Sequence, residues 1–148
     1  MISSKDQISD HFHGDEFACP CCGVIQVNEF LLEGLEALRE KIGEPIKILS
    51  GYRCEKHNEE TGGEKNSFHC QGKAADVLLP GGFTLGGFYI VVDSMPYFGG
   101  IGVYPASAGQ KSNFVHLDVR TTHARWSRIN GHYFGVRQGL DYDKQEES

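Results

Sequence analysis

The 148-residue sequence contains no apolar run that approaches the ~20 residues needed to cross a membrane as a helix. Residues 1–6 lack the basic segment and following apolar stretch of a secretory signal peptide. We therefore expect a chain that is cytoplasmic at synthesis and does not associate with membranes. Basic residues are also scarce, with 14 Lys and Arg against 20 Asp and Glu and a formal net charge of −6. Because nucleic-acid-binding domains normally carry a basic stripe, a nucleic-acid partner is not expected.

The sequence also lacks a paired set of cysteines. An odd count of five Cys, in a chain without an export signal, does not support a disulfide framework. The five are Cys19, Cys21, Cys22, Cys54 and Cys70. The segment 19–23 (CPCCG) could belong to a structural zinc knuckle with Cys54, although a second Cys pair at the usual spacing is missing. The alternative, reduced thiols packed in a turn, is the favoured interpretation, so a structural zinc at Cys19, Cys21 and Cys22 is the lesser expectation.

Proline is rare as well, with 5 Pro against 19 Gly, and the glycines occur as pairs rather than in a period. This pattern is typical of tight turns and excludes a collagen-like repeat. Hydrophobic residues make up 39% of the chain, which is ordinary for one globular domain of this length. Short strands are predicted at 46–49, 74–79, 99–105 and 114–120. Because several connections are too brief for parallel crossovers, we predict a single α+β domain with a mainly antiparallel sheet and flanking helices.

One helix can be placed from its periodicity. Four apolar residues recur at spacings of four, three and four, which marks one helical face: Leu31, Leu35, Leu38 and Ile42. Asn28 is a plausible N-cap, and Gly43 predicts the end of the helix. Residues 1–26 are predicted to form a Cys-containing segment anchored by Phe12 and Phe17. Residues 27–140 are predicted to form the main domain, and residues 141–148 a flexible tail.

The strand at 114–120 alternates cleanly between two faces. His116 and Asp118 share one face, while Val115 and Leu117 point to the other, which is expected to be the core face. A solvated face with no function is one interpretation of this polar pair. The other is a functional role, since a polar pair opposite an apolar core face needs a reason.

A second segment places a histidine and a carboxylate close together. His69 lies in a predicted loop and Asp76 follows early in the next strand, with Gly72 between them to permit a sharp turn. Asp76 sits among apolar neighbours, and burying a lone carboxylate is costly unless a cation or donors meet it. A zinc ion bound by His69, Asp76 and His116 is one solution, because three protein ligands leave the open position that a catalytic zinc needs.

Several separate blocks of the chain resemble one known family. They are Ser50-Gly51-Tyr52-Arg53, His57-Asn58, Gly62-Gly63, Ser67-Phe68-His69, Gly72-Lys73-Ala74-Ala75-Asp76, Phe114-Val115-His116-Leu117-Asp118-Val119-Arg120 and Ala124-Arg125-Trp126. In this order, over roughly residues 10 to 128, the blocks resemble the zinc D-alanyl-D-alanine carboxypeptidases. That family includes bacterial murein peptidases and phage endolysins, and it shares a zinc fold with the signalling domain of hedgehog proteins.

The resemblance implies a role for each matched residue. It implies that His69, Asp76 and His116 bind zinc, and that Arg53 holds a substrate carboxylate and takes part in catalysis. Ser67, in the same block as His69, is expected to contact the substrate.

The general base is the point at which the chain departs from the family. Some members carry an acidic residue or a His three positions before the last ligand, where this chain has Asn113. Asn cannot take a proton from water, although one branch of the family also has Asn there. Asp118 is the expected substitute, and it could equally orient the ligand His116.

The expected function is zinc-dependent hydrolysis of amide bonds in the stem or cross-link peptides of peptidoglycan, by a monomer. The protein would act on the cell wall if released, as a phage lysin is. Nothing in the sequence separates carboxypeptidase from endopeptidase action, or a D,D-bond from an L,D-bond. The alternative is an inactive, zinc-stabilised binding module, such as a phage structural or wall-binding protein, and Asn113 is the feature that favours it.

Overall fold

The structure, a computed structural model, describes residues 6–147, with side chains described as far as Gln145. One six-stranded sheet has the order β1-β2-β4-β3-β5-β6. Its strands are β1 (Ile48–Ser50), β2 (Ala74–Leu78), β3 (Gly100–Tyr104), β4 (Phe114–Asp118), β5 (Ala124–Ile129) and β6 (His132–Phe134). The helices are α1 (Glu29–Ile42), α2 (Glu55–Glu60), α3 (Leu85–Asp93) and α4 (Val136–Glu147). Two short 3-10 turns span Gly14–Phe17 and Phe68–Gln71.

The sheet is antiparallel at every pairing except that of β3 with β5, which is parallel. This arrangement confirms the predicted α+β class and the mainly antiparallel sheet. Within residues 6–147, no helix combines the length and the apolar character needed to span a membrane.

The two faces of the central strands have different tasks. Val115 and Leu117 of β4 and Ala75 and Val77 of β2 are fully or almost fully buried in the hydrophobic core, which helices α1 and α3 also line. Side chains on strands alternate in direction, so the residues between them point to the opposite face. That face of the sheet is therefore available for a polar site.

Helix α1 forms where its sequence pattern predicts. The Asn28 side chain accepts hydrogen bonds from the backbone N–H groups of Phe30 and Leu31, and the helix ends at Gly43. The residues that form its predicted apolar face, apart from the last, are buried: Leu31, Leu35 and Leu38. Helix α1 thus packs into the hydrophobic core through the stripe that its periodicity indicated.

The N-terminal segment lies against the same core. Phe12 and Phe17 are each 1% exposed and meet edge to face. The carbonyl of Phe17 accepts a hydrogen bond from the backbone N–H of Tyr52 at 3.0 Å, just after β1. The segment therefore touches the loop that leads from β1 to α2.

The C-terminal part differs from the sequence prediction. The segment 141–148 was expected to be a flexible tail, but α4 is helical through Glu147. The inward face of α4 includes Gly139, which lies close to Ser127 of β5. Leu140 and Asp143 lie on the same side of the helix. Because this face is partly Gly and Asp, the hydrophobic periodicity that marks α1 is weak here.

Candidate metal centre and active-site cavity

Asp76 and His116 lie directly opposite each other on the neighbouring antiparallel strands β2 and β4. Opposite residues of such a pair have Cβ atoms within about 5.5 Å, so their side chains meet on one face of the sheet. Nδ1 of His116 lies 3.0 Å from Oδ1 of Asp76. The strand register alone therefore brings two of the three predicted metal ligands together.

His69 reaches the same point from the 3-10 turn that precedes β2. The turn ends at Gly72, which has a φ of 68°, and a Cβ atom there would lie 2.6 Å from the carbonyl oxygen of Gln26. Glycine is thus required both by the left-handed backbone and by the close approach. The turn places Nε2 of His69 3.2 Å from Oδ1 of Asp76. Both histidines therefore meet the same carboxylate oxygen of Asp76.

Each of the three side chains is held from behind. His69 Nδ1 donates to the carbonyl oxygen of Gly51 at 2.8 Å, which leaves Nε2 facing Asp76. His116 Nε2 lies 2.8 Å from Oδ2 of Asp118, on the side of the ring away from Asp76. Arg53 donates from Nη2 to the other carboxylate oxygen of Asp76 at 3.1 Å. Partners of this kind fix the tautomer and orientation of metal ligands.

Asp118 is committed to these supporting contacts. It is fully buried, and Arg120 donates to it from Nε at 2.8 Å and from Nη2 at 2.7 Å. The guanidinium of Arg120 is in turn stacked over the rings of Phe68 and Trp126. Both oxygens of Asp118 are therefore occupied, and its carboxylate forms a rigid link between Arg120 and His116.

The charges of this group shift the pKa values of its members. Burial raises the pKa of Asp76, but the two histidines beside it outweigh this and hold it well below its usual range. Burial likewise raises the pKa of Asp118, and hydrogen bonds from Arg120 and His116 hold it well below its usual range. For His116, burial lowers the pKa, while Asp118 and Asp76 raise it to about 9. The metal-free group thus consists of two carboxylates with a protonated His116 between them.

The donor atoms of His69, Asp76 and His116 all lie within 4.8 Å of one another. Ligand bonds of 2.0–2.1 Å in a tetrahedral zinc site place the ligand atoms about 3.3 Å apart, which is close to the observed 3.0 Å and 3.2 Å contacts of the two histidines with Asp76. Two imidazoles and one carboxylate are also a donor set that zinc accepts, and all three residues are buried. The chemistry and spacing of the group fit a zinc ion with an open position.

A cavity of about 640 Å³ opens over the three ligands. Aromatic residues form much of its wall: Phe68, Tyr104, Phe114, Trp126 and Tyr133. Four cationic side chains also line it, namely Arg53, Lys65, Arg120 and Arg128, against the two acidic residues Glu64 and Asp76. The cavity is therefore cationic in a protein whose formal net charge is −6.

The other predicted site residues take defined places around this cavity. Arg53 lines it, but its guanidinium also contacts Ser50, Asn58 and Asp76. Ser67 lines it too, and its hydroxyl oxygen accepts from the backbone N–H of His69 at 3.2 Å, which caps the 3-10 turn.

Asn113 has a different role, because its side chain accepts from the backbone N–H of Ala106 at 2.7 Å. It braces the connection between β3 and β4 and is not among the described residues that line the cavity.

The sequence motifs did not indicate two cavity residues on the last strands, Arg128 and Tyr133. Arg128 of β5 has its guanidinium carbon 5.1 Å from the ring centroid of Tyr133 in β6, and both line the cavity. Nε of Arg128 is buried and has no hydrogen-bond partner among residues 6–147. The alternation of Trp126 and Arg128 on β5 was the available signal, because residues two apart on a strand share a face.

Comparison with known proteins agrees with this site. The Peptidase M15 family matches residues 10–118, which is well over half of the chain. The chain therefore belongs to the M15 peptidases, which are zinc-dependent metallopeptidases. The matched span contains all three convergent ligands and ends at Asp118. A search of curated proteins gives no significant match.

Proposed function

We propose that this chain is a zinc peptidase that hydrolyses amide bonds in the stem or cross-link peptides of peptidoglycan. The observation that carries the proposal is the position of His69, Asp76 and His116 beneath a cavity with cationic and aromatic walls. Three ligands and an open position suit catalysis rather than a closed structural site. We further propose that the protein acts as a monomer and reaches the cell wall as a phage lysin does.

The charge of the cavity supports a peptide substrate with free carboxylates. Stem peptides carry several carboxylates and few cations, and arginine recognises carboxylates through paired N–H donors. Arg53 uses three of its nitrogens on Ser50, Asn58 and Asp76, so it combines ligand support with any substrate contact. Arg128, whose Nε is unpaired among the described residues, is better placed to receive a substrate carboxylate without losing another contact.

The residues around the ligands supply positioning. Zinc bound there would polarise the scissile carbonyl and make a water molecule nucleophilic near neutral pH. The Gly51 carbonyl and Asp118 orient the two imidazoles, and Arg53 fixes the Asp76 carboxylate. Because both oxygens of Asp118 are hydrogen-bonded and its pKa is held low, these contacts favour an orienting role over proton transfer. Glu64 is the other carboxylate, besides Asp76, among the described residues that line the cavity.

Digestion of purified murein sacculi tests the proposal. After treatment with the zinc-loaded protein and digestion of the glycan with a muramidase, the sacculi should yield muropeptides that have lost a D-alanine or a cross-link, and a chelator should abolish this change until zinc is restored. His69→Ala serves as the matched inactive control. Mass spectrometry of the products then identifies the bond, because loss of a terminal D-alanine marks a carboxypeptidase and separation of cross-linked peptides marks an endopeptidase.

A zinc-stabilised binding module is the rival function. The bracing role of Asn113 and the saturated contacts of Asp118 favour it, because neither residue is free to act as a base. In the sacculus experiment, this rival predicts that the zinc-loaded protein sediments with the sacculi and leaves their peptides unchanged. That result would overturn the proposed hydrolysis.

A further inference from the structure

Three thiols from two distant parts of the sequence meet outside the cavity. The sulfur atoms of Cys19, Cys22 and Cys54 all lie within 4.8 Å of one another. Cys19 and Cys22 come from the N-terminal segment, whereas Cys54 follows the Gly51–Arg53 loop after β1. None of the three is among the described residues that line the cavity. The proposed peptidase activity gives this cluster no task.

The backbone around Cys19 and Cys22 has the form of a metal-binding knuckle. The segment 19–23 (CPCCG) spaces these two Cys as C-x2-C, the spacing usual in structural zinc sites. The N–H of Gly23 donates to the carbonyl of Cys19 at 2.8 Å, and Gly23 has a φ of 76°, which closes the turn. A flanking bridge pairs Ala18 with Ile25. The turn therefore presents both sulfur atoms on the same side.

The third thiol completes a set with the dimensions of a zinc site. Zinc–sulfur bonds of 2.3 Å in a tetrahedral site place the sulfur atoms about 3.8 Å apart, which small side-chain rotations from the observed positions would achieve. Backbone N–H groups also face two of the sulfurs. The N–H of Cys54 donates to Sγ of Cys19, and that of His57 donates to Sγ of Cys54, each at 3.4 Å. Such donors stabilise the negative charge of metal-bound thiolates.

We propose that Cys19, Cys22 and Cys54 bind a second, structural zinc ion, with Cys21 as the candidate fourth ligand. The exposed Cys21 side chain lies beside that of Cys54, whereas Cys70 lies outside the three-sulfur group. A set of thiolates closes the coordination shell, so this ion would have no catalytic role.

The position of the ion explains what it would stabilise. Cys54 directly follows Arg53, which contacts Asp76, and lies three residues after Gly51, whose carbonyl holds His69. The same loop is tied to the N-terminal segment by the hydrogen bond from Tyr52 to Phe17. A metal that joins Cys19 and Cys22 to Cys54 would lock this loop, and with it the supports of two ligands of the catalytic centre.

Metal analysis of the full chain, purified with a phosphine reductant, tests the inference independently of peptidase activity. The double variant His69→Ala/His116→Ala removes the first site, so it should retain about one zinc per chain when the wild type holds about two. With Co²⁺ in place of zinc, the double variant should show sulfur-to-cobalt charge-transfer absorption in the near ultraviolet. A double variant without bound metal and without that absorption would overturn the proposal, and it would leave the proposed peptidase function untouched.

Cysteine variants locate the site. In the double-variant background, Cys22→Ser should lose the remaining zinc and the cobalt absorption, while Cys70→Ser should keep both. Cys21→Ser should weaken the absorption, and an unchanged spectrum would remove Cys21 from the coordination shell. Retention of full zinc in Cys22→Ser would contradict the assignment. If the variant does not fold, the cobalt spectrum of the intact cluster in the double variant still decides.

Discussion

Oδ2 of Asp118 lies 2.8 Å from Nε2 of His116, on the side of the imidazole opposite to Asp76. This contact turns Nδ1 of His116 towards the metal position and makes Asp118 a support of the ligand. Two bonds from Arg120 hold Asp118 itself in place. The sequence allowed two roles for Asp118, either general base or support that orients His116. This contact favours testing the supporting role first.

Asp118→Asn should lower the affinity for zinc at the catalytic site by about 10–100-fold, because the amide orients His116 less firmly. Activity should recover in excess zinc. Isothermal titration with zinc and turnover assays at several zinc concentrations measure the two effects. Asp93→Asn, which alters the ion pair with Arg125 outside the cavity, is the matched control.

A lower turnover with unchanged zinc affinity in Asp118→Asn would instead assign proton transfer to Asp118. A fall in turnover of about 10²–10⁴-fold at full zinc occupancy is the size expected for the loss of a general base. Glu64→Gln should be assayed beside it. A loss of that size in Glu64→Gln alone would place the base on the rim of the cavity.

Zinc binding should release protons near neutral pH. In the metal-free protein the pKa of His116 is raised from 6.5 to about 9, so the protonated form contributes stability that is fully present below pH 6.5 and lost as the pH rises through 9. Because zinc needs the neutral imidazole, it must displace about one proton from His116 in this window. Its affinity should therefore increase as the pH rises towards 9.

Calorimetry in buffers of different ionisation enthalpy measures this proton release. Asp118→Asn should release fewer protons at pH 8, since one of the two carboxylates that raise the pKa of His116 is gone. Any protons from the Cys cluster are common to both proteins and cancel in the comparison. Equal proton release from the two proteins would show that Asp118 does not control His116.

Arg53 and Arg128 should have different kinetic signatures. Arg53→Lys should lower kcat and also weaken zinc binding, because Lys cannot reproduce the contacts to Ser50, Asn58 and Asp76. Arg128→Gln should mainly raise KM and leave zinc content unchanged, because it removes a contact to the substrate. Steady-state kinetics on a defined stem peptide separate the two. Unchanged KM in Arg128→Gln would remove that residue from substrate binding.

Gly72→Ala should disturb the turn that carries His69. The left-handed φ and the approach of the Gln26 carbonyl both oppose a Cβ atom, so we expect a loss of about 1–3 kcal/mol in the free energy of unfolding. Zinc affinity should fall as well, since His69 lies in this turn. Gly81→Ala is the control, because nothing lies within 4 Å of a Cβ atom there. Denaturant unfolding of both variants checks the difference, and equal stability would contradict it.

The sequence predicted those parts of the fold that local patterns encode. Helix α1 follows from its apolar spacing and its Asn28 cap, and β4 follows from its alternation. Helix α4 was missed because the residues that face inwards include Gly139 and Asp143, which carry no hydrophobic signal. Burial there depends on a close approach to β5, which only the folded chain shows.

In the candidate site, too, the sequence indicated the residues that local motifs encode and not those that depend on long-range contacts. The blocks around His69, Asp76 and His116 are local sequences, so the resemblance could indicate all three ligands. The supports come from long-range contacts, such as the Gly51 carbonyl behind His69. The contact of Cys54 with Cys19 is long-range too, and the sequence offered it only as one of two interpretations of the Cys cluster. Sequence spacing does not encode such contacts, because they depend on how β1 and the N-terminal segment pack.

Zinc titration of the chelator-stripped protein, followed by hydrolysis of a defined stem peptide, tests the central claim most directly. The account predicts that hydrolysis is absent without metal and rises with occupancy of the centre formed by His69, Asp76 and His116. It also predicts that His69→Ala, Asp76→Ala and His116→Ala each remain inactive at zinc concentrations that saturate the wild type. Full hydrolysis by the stripped protein, or by any of the three variants under these conditions, would contradict the account.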